Sequence, residues 1–93
     1  MRLSEAQKRC LSDVRSGLVS REFDVIGGYR WIAGEFATGW RKSEQDAPKP
    51  LARLLELGLI APGPTTRPYS GRHCSKYDVT DAGRAAIAQE DRS

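Results

Sequence analysis

The clearest structural signal in this chain lies between Ala47 and Ile60. The apolar residues there recur at the three- and four-residue spacing that places side chains on one face of an α-helix. They are Ala47, Leu51, Leu54 and Leu55. Gly58 supplies the left-handed residue that commonly ends a helix, and Leu59 can then fold back in a Schellman motif. We therefore predict a helix from Ala47 to Leu57.

Polar residues and prolines define the start and the exposed face of this helix. Asp46 is a suitable N-cap. Pro48 and Pro50 are compatible with the first turn, because the backbone N–H groups there have no intrahelical acceptor. We expect the face opposite the leucines to be exposed, and it carries Lys49, Arg53 and Glu56.

Two further helices are predicted near the ends of the chain. Ser4 and Gln7 form a capping-box pattern ahead of the first helix, and Gly17 follows its last turn. The apolar face of this helix is predicted to contain Leu3, Ala6, Cys10, Leu11, Val14 and Leu18. Thr80 is the predicted N-cap of a closing helix from Asp81 to Ile87.

The segment from Leu18 to Trp40 fits either of two structures. The dipeptide Gly27-Gly28 is typical of a tight hairpin turn, and apolar and polar residues alternate on both sides of it. A helix from Tyr29 to Ala37 also fits, because Ile32 and Phe36 lie at helical spacing. We predict the hairpin, since glycines at positions 34 and 39 disfavour the helix.

The segment from Ile60 to Thr80 contains many residues that break helices. They are Pro62, Gly63, Pro64, Pro68 and Gly71. This composition predicts an extended loop. The alternation from Lys76 to Val79 then predicts a strand with Tyr77 and Val79 on one face.

The residues Leu51-Ala52-Arg53-Leu54-Leu55-Glu56-Leu57-Gly58-Leu59-Ile60, the basic loop and Tyr77-Asp78-Val79-Thr80-Asp81-Ala82-Gly83-Arg84 together resemble the second half of a winged helix-turn-helix. MarR- and PadR-like repressors share this order of recognition helix, two-stranded wing and closing helix. The resemblance covers Ala47 to Ile87. It implies a single α+β domain over residues 1–93, with three helices and a β-wing. The hairpin predicted before Trp40 is an addition, similar to the abbreviated winged helices of small bacterial and phage proteins.

The chain is basic, with a net charge of +3 and an isoelectric point near 9.1, and its cationic residues are clustered. The segment from Thr65 to Tyr77 contains no Asp or Glu. The candidate nucleic-acid contacts are Arg41, Lys42, Lys49, Arg53, Arg67, Arg72, His73 and Lys76. Together with the resemblance, they predict a non-catalytic transcriptional regulator that binds double-stranded DNA, with the helix from Ala47 in the major groove and the wing on the backbone.

A protein-binding winged helix is the alternative interpretation. Glu56 lies on the candidate recognition face, where it would repel phosphate. Tyr29, Trp31 and Trp40 form an aromatic segment suited to an interface, although large aromatics in a domain this small are more often core. Such a protein would act as an inhibitor or adaptor of a larger complex, for example a phage-encoded inhibitor of host defence. A homodimer through the first and last helices is a third hypothesis.

Several function classes are disfavoured by the sequence. His73 and Cys74 are adjacent, a poor geometry for one metal ion, and no phosphate-binding glycine motif is present. We expect no catalytic activity, cofactor or metal site. No apolar run approaches the ~18 residues of a membrane span, so we predict a cytoplasmic protein with Cys10 and Cys74 reduced.

Overall fold

Three α-helices and one four-stranded antiparallel sheet make up the computed structural model, which describes residues 2–69 and 71–91. In chain order the elements are α1 (Glu5–Arg15), β1 (Ser20–Asp24), β2 (Gly28–Ile32), α2 (Lys49–Glu56), β3 (Ile60–Tyr69), β4 (Arg72–Val79) and α3 (Asp81–Asp91). The strand order in the sheet is β2-β1-β4-β3. The predicted α+β class is confirmed. No helix in the described ranges is long and apolar enough to cross a bilayer.

The predicted hairpin between Leu18 and Trp40 is confirmed as β1 and β2, which pair around a turn at residues 25–27. Asp24 Oδ1 accepts hydrogen bonds from the backbone N–H groups of Ile26 and Gly27, which closes this turn. The alternative helix from Tyr29 to Ala37 is wrong, because β2 continues to Ile32 and only a single 3₁₀ turn, Gly34–Phe36, follows.

The helix α2 begins two residues later than predicted. Asp46 belongs instead to a separate 3₁₀ turn, Glu44–Asp46, which Ser43 caps. Ala47 and Pro48 are extended, with ψ of 151° and 137°. Ala47 precedes a proline, and the proline ring disfavours helical backbone at the residue before it.

The predicted end of α2 is confirmed in detail. The N–H of Leu59 donates to the Leu54 carbonyl at 3.0 Å, and the N–H of Gly58 donates to the Leu55 carbonyl at 3.1 Å. Gly58 has a φ of 75°. These are the two hydrogen bonds and the left-handed residue of a Schellman motif.

The extended loop predicted after Ile60 is wrong, because this segment is the strand β3. It pairs with β4 in a long hairpin, with register shifts between Pro62 and Thr65 and between Thr66 and Tyr69. Strand β3 lies at the edge of the sheet and has only one neighbour, so prolines are tolerated there. We call β3 and β4 the long hairpin.

The predicted caps of α1 and α3 are confirmed. Ser4 and Gln7 make both hydrogen bonds of the capping box. Thr80 Oγ1 accepts a hydrogen bond from the N–H of Gly83 at 3.1 Å and donates to the Gly58 carbonyl at 2.7 Å. Thr80 therefore fixes the start of α3 against the end of α2.

The core lies between α1, α2 and one face of the sheet. Its buried apolar residues are Leu3, Cys10, Leu11, Val14, Val19, Trp31, Ala33, Leu51, Leu54, Leu59, Ile60 and Tyr77. Leu18, predicted on the apolar face of α1, is 57% exposed. The helix ends at Arg15, and Gly17, with a φ of 77°, turns the chain before Leu18 is reached.

The two faces of the sheet follow from strand alternation and register. The core face includes Val19, Arg21, Phe23, Tyr29, Trp31, His73, Ser75 and Tyr77. The outer face includes Glu22, Asp24, Arg30, Ile32, Arg72, Cys74 and Lys76. Helices α1 and α2 supply the residues that pack on the core face around Val19, Trp31 and Tyr77.

Candidate functional site

The exposed face of α2 carries the predicted row of charged residues. Lys49, Arg53 and Glu56 are all exposed. Arg53 Nη1 lies 3.1 Å from Glu56 Oε1, and the two side chains are 50% and 70% exposed. An ion pair this accessible to water contributes only about 0.3–0.5 kcal/mol, so a phosphate can displace Glu56 from Arg53.

The segment that leads into α2 shares a cleft with the long hairpin. Glu44 of the 3₁₀ turn forms an ion pair with Arg21 of β1. Glu44 also lines one cleft with Thr65 of β3 and His73 of β4. Glu44 and the long hairpin are therefore neighbours on the core-face side of the sheet, and four residues of chain lie between Glu44 and Lys49.

This cleft has a volume of about 310 Å³ and lies at the end of the core face that the helices leave open. We call it the aromatic cleft, and it is lined by Arg21, Phe23, Tyr29, Glu44, Thr65, His73 and Ser75. Two cross-strand rows form its floor. One row is Tyr29, Phe23 and His73, and the other is Arg21, Ser75 and Thr65.

The rings in the first row are in mutual contact. The centroids of Phe23 and Tyr29 are 4.9 Å apart at an interplanar angle of 44°, and those of Phe23 and His73 are 6.0 Å apart. The Arg21 guanidinium lies 5.9 Å from the centroid of the Tyr29 ring. In the second row, the hydroxyl oxygens of Thr65 and Ser75 are 3.0 Å apart and share a hydrogen bond. The cleft thus combines stacking surfaces with both donors and acceptors.

A cluster of charges covers the outer face of the sheet. Glu22 Oε1 lies 2.7 Å from Arg30 Nη2, and Glu22 Oε2 lies 3.6 Å from Arg72 Nη1. Arg72 also lies 3.5 Å from Asp24. The Trp40 ring lies against both guanidinium groups, at 4.7 Å from Arg30 and 5.2 Å from Arg72. We call these five residues the outer-face cluster.

Asp24 belongs both to this cluster and to the β1–β2 turn. Hydrogen bonds from the backbone N–H groups of Ile26 and Gly27, and then the charge of Arg72, lower the pKa of its carboxyl. The carboxylate is therefore the favoured form, and it offsets part of the charge of Arg72.

The structure does not bring the eight predicted basic residues onto one surface. Lys49 and Arg53 lie on α2, and His73 lies in the aromatic cleft. Arg72 and Lys76 lie on the outer face. The remaining three, Arg41, Lys42 and Arg67, are exposed outside the helices.

The three aromatic residues predicted as an interface are also separated. Trp31 is 1% exposed and belongs to the core, the more common place for a large aromatic in a small domain, so it forms no exposed patch with Tyr29 and Trp40. Tyr29 lines the aromatic cleft, whereas Trp40 lies on the outer face and is 36% exposed. The cross-strand pairing that turns Trp31 towards the helices cannot be read from a run of aromatics alone.

Most residues of the aromatic cleft were not predicted from the sequence. Phe23, Arg21 and Glu44 had no functional prediction, and neither did Thr65 or Ser75. The only available signal was the alternation of residues around the hairpin turn, which places Phe23 and Arg21 on one face of β1.

Both thiols are free. Cys10 is buried in the core, and this burial, followed by the nearby Asp13 carboxylate, raises its pKa to about 11. Among residues 2–69 and 71–91, no three His, Cys, Asp or Glu side chains lie close enough together to hold a metal ion.

No protein-family model, curated protein or solved structure matches this chain.

Proposed function

We propose that this chain is a DNA-binding domain of the winged-helix type that acts as a small transcriptional regulator. Helix α2 would enter the major groove, and the long hairpin would serve as the wing. The observation that carries the proposal is that Glu44, in the segment leading into α2, lines the same cleft as Thr65 and His73 of the long hairpin. The exposed row of α2 begins at Lys49, shortly after Glu44 in the chain, and the hairpin segment from Thr65 to Tyr77 contains no acidic residue.

Helix α2 differs from an ordinary recognition helix in what precedes it. In a helix-turn-helix, a helix before the recognition helix crosses the phosphate backbone. Here the β1–β2 hairpin takes that place in the chain. Arg41 and Lys42 lie between β2 and α2 and are exposed, so they are the residues that would make the missing backbone contacts.

The basic residues differ in their suitability for DNA. Lys49 and Arg53 project from α2 and would reach base edges or phosphates in the groove. Arg67 lies on the exposed part of β3 and would contact phosphate. Arg72 is the weakest candidate, because its charge is offset by Glu22 and Asp24. We therefore do not propose Arg72 as a DNA contact.

The proposal is tested by fluorescence anisotropy of a labelled random-sequence duplex at about 50 and about 200 mM salt. We expect micromolar affinity at the lower salt and a steep loss at the higher. Replacing Lys49 and Arg53 together with alanine should reduce both the affinity and its salt dependence. The matched control replaces Arg9 and Lys8 of α1, which lowers the net charge equally. Absence of binding at the lower salt, or equal losses in both double variants, would contradict the proposal.

A protein partner is the second candidate, and one specific observation favours it. Val25 and Ile26 at the tip of the β1–β2 hairpin are 66% and 94% exposed. Isolated exposed apolar residues are common, but two at a hairpin tip make a small anchor for a protein interface. If the duplex does not bind, affinity capture should be compared between the native chain and Ile26→Asp. A partner that the native chain and Ile26→Asp retain equally would show that the hairpin tip is not the binding surface.

A further inference from the structure

We propose that the aromatic cleft binds one unstacked base of a single-stranded nucleic acid. This activity goes beyond duplex binding, because it uses the core face of the sheet rather than the exposed face of α2. Both proposals use Arg67 and the long hairpin for phosphate contacts, but the exposed row of α2 and the rings of the cleft are different residues, so each can be tested with its own variants.

The aromatic rings of the cleft provide a stacking surface. Trp31 belongs to the core and Tyr29 packs against it, whereas Phe23 and His73 lie outside the core cluster; Phe23, Tyr29 and His73 are all half-buried. The three rings lie in a row across three strands and are tilted by 44° and 38° to one another, so a planar base can stack on one ring and contact its neighbour. Every base has a π-face, and stacking on protein aromatics is the main attraction in binding to single strands.

The polar groups in the cleft narrow the ligand class. The Arg21–Glu44 pair presents a guanidinium and a carboxylate together, and Thr65 and Ser75 add two hydroxyl groups. A base edge carries donors and acceptors side by side and matches this mixture. A carboxylate ligand would be repelled by Glu44, and a purely apolar ligand would remove these two polar pairs from water without bonding to either.

The surroundings suit the phosphates on either side of such a base. Arg67 lies two residues beyond Thr65 on β3 and is exposed. The hairpin segment from Thr65 to Tyr77 contains no acidic residue. A backbone that follows this segment would therefore meet positive charge without nearby repulsion, apart from Glu44 in the cleft itself.

A duplex cannot fill this site. Its bases are stacked and paired, and only their edges are accessible in the grooves. The rings of Phe23 and His73 lie on the floor of a cleft rather than on a protruding surface. A base must leave the stack to reach them, which a single strand allows at little cost.

The test compares a labelled oligothymidylate of about twelve nucleotides with a labelled duplex. Phe23→Leu removes a ring but keeps an apolar side chain, and Trp40→Leu makes the same change on the outer face as a matched control. We expect Phe23→Leu to weaken oligothymidylate binding by at least about fivefold and to leave duplex binding unchanged. Trp40→Leu should leave oligothymidylate binding within about twofold of the native value.

If Phe23→Leu does not fold, the base site can be tested on the native chain by NMR. His73 is the only histidine in the sequence, so its ring protons give an NMR signal that needs no mutagenesis to assign. We expect oligothymidylate to shift this signal progressively to saturation, because a stacked base lies against the imidazole.

The outcomes separate the two proposals. Any of three results would overturn the base site. These are oligothymidylate binding to a folded Phe23→Leu variant as tight as to the native chain, a His73 signal that oligothymidylate leaves unmoved, and no binding of oligothymidylate at all. If the native chain binds oligothymidylate but not the duplex, the proposed regulator is contradicted and the base site is not.

Discussion

Glu22 and Arg30 are direct partners across the β1–β2 ladder, and their side chains form an ion pair of 2.7 Å on the outer face. Glu22 also meets Arg72 from β4, its neighbour on the other side. One carboxylate, with a side chain only 11% exposed, thus connects three adjacent strands. Its role is structural, since the arginines that surround it are engaged with the protein itself.

Replacing Glu22 with alanine should therefore lower the free energy of unfolding. The change leaves Arg30 and Arg72 close together without the carboxylate between them, and we expect a loss of about 1–3 kcal/mol. Urea denaturation measures it. Glu35→Ala breaks the exposed pair with Arg9 and should change stability by less than about 0.5 kcal/mol. Similar losses in both variants would show that the outer-face cluster is not a stabilising feature.

Replacing Gly28 with alanine should destabilise the fold. It has a φ of 92°, and a Cβ there would overlap the carbonyl oxygen of Arg41. That approach lets Tyr29 and Arg41 exchange two backbone hydrogen bonds of 2.6 Å. We expect Gly28→Ala to cost about 2 kcal/mol or more, measured by thermal denaturation. At Gly39 a Cβ would meet nothing within 4 Å, so Gly39→Ala should be tolerated.

Removing the charge of Glu56 should strengthen duplex binding. Glu56→Gln frees Arg53 from its ion pair and removes a negative charge from the face proposed to meet DNA. We expect affinity to rise by roughly two- to threefold in the anisotropy assay. Glu5→Gln makes the same change in net charge on α1, and an equal effect there would mean that α2 is not the contact surface.

The two cysteines should differ in reactivity. Burial raises the pKa of Cys10 to about 11, so its thiol stays protonated and unreactive near pH 8. Cys74 is only half-buried. Iodoacetamide should therefore add one group, at Cys74, to the folded chain and two to the unfolded chain, as seen by mass spectrometry. Rapid modification of both in the folded chain would show that α1 opens readily.

The features predicted correctly from sequence depend on contacts over a few residues. The Ser4–Gln7 capping box spans three residues, and the Gly58 and Thr80 caps are equally local. The late start of α2 was missed for a reason that is also local, since Pro48 restricts the backbone of Ala47.

The aromatic cleft was missed because it depends on strand pairing. Phe23 and His73 lie fifty residues apart in the chain and become neighbours only through the register of β1 and β4. That register is fixed by the burial of Val19 and Tyr77 under the helices, which no local pattern reveals.

The prolines of β3 also affect how two copies of this chain can pair edge to edge. A ten-residue strand at the edge of a sheet is a template to which a strand of a second copy can add, and such growth leads to fibrils. Pro62, Pro64 and Pro68 offer no N–H group. Three of the ten residues therefore cannot donate to an incoming strand, and we expect the same prolines that made this segment look like a loop to disfavour addition of a second copy at this edge.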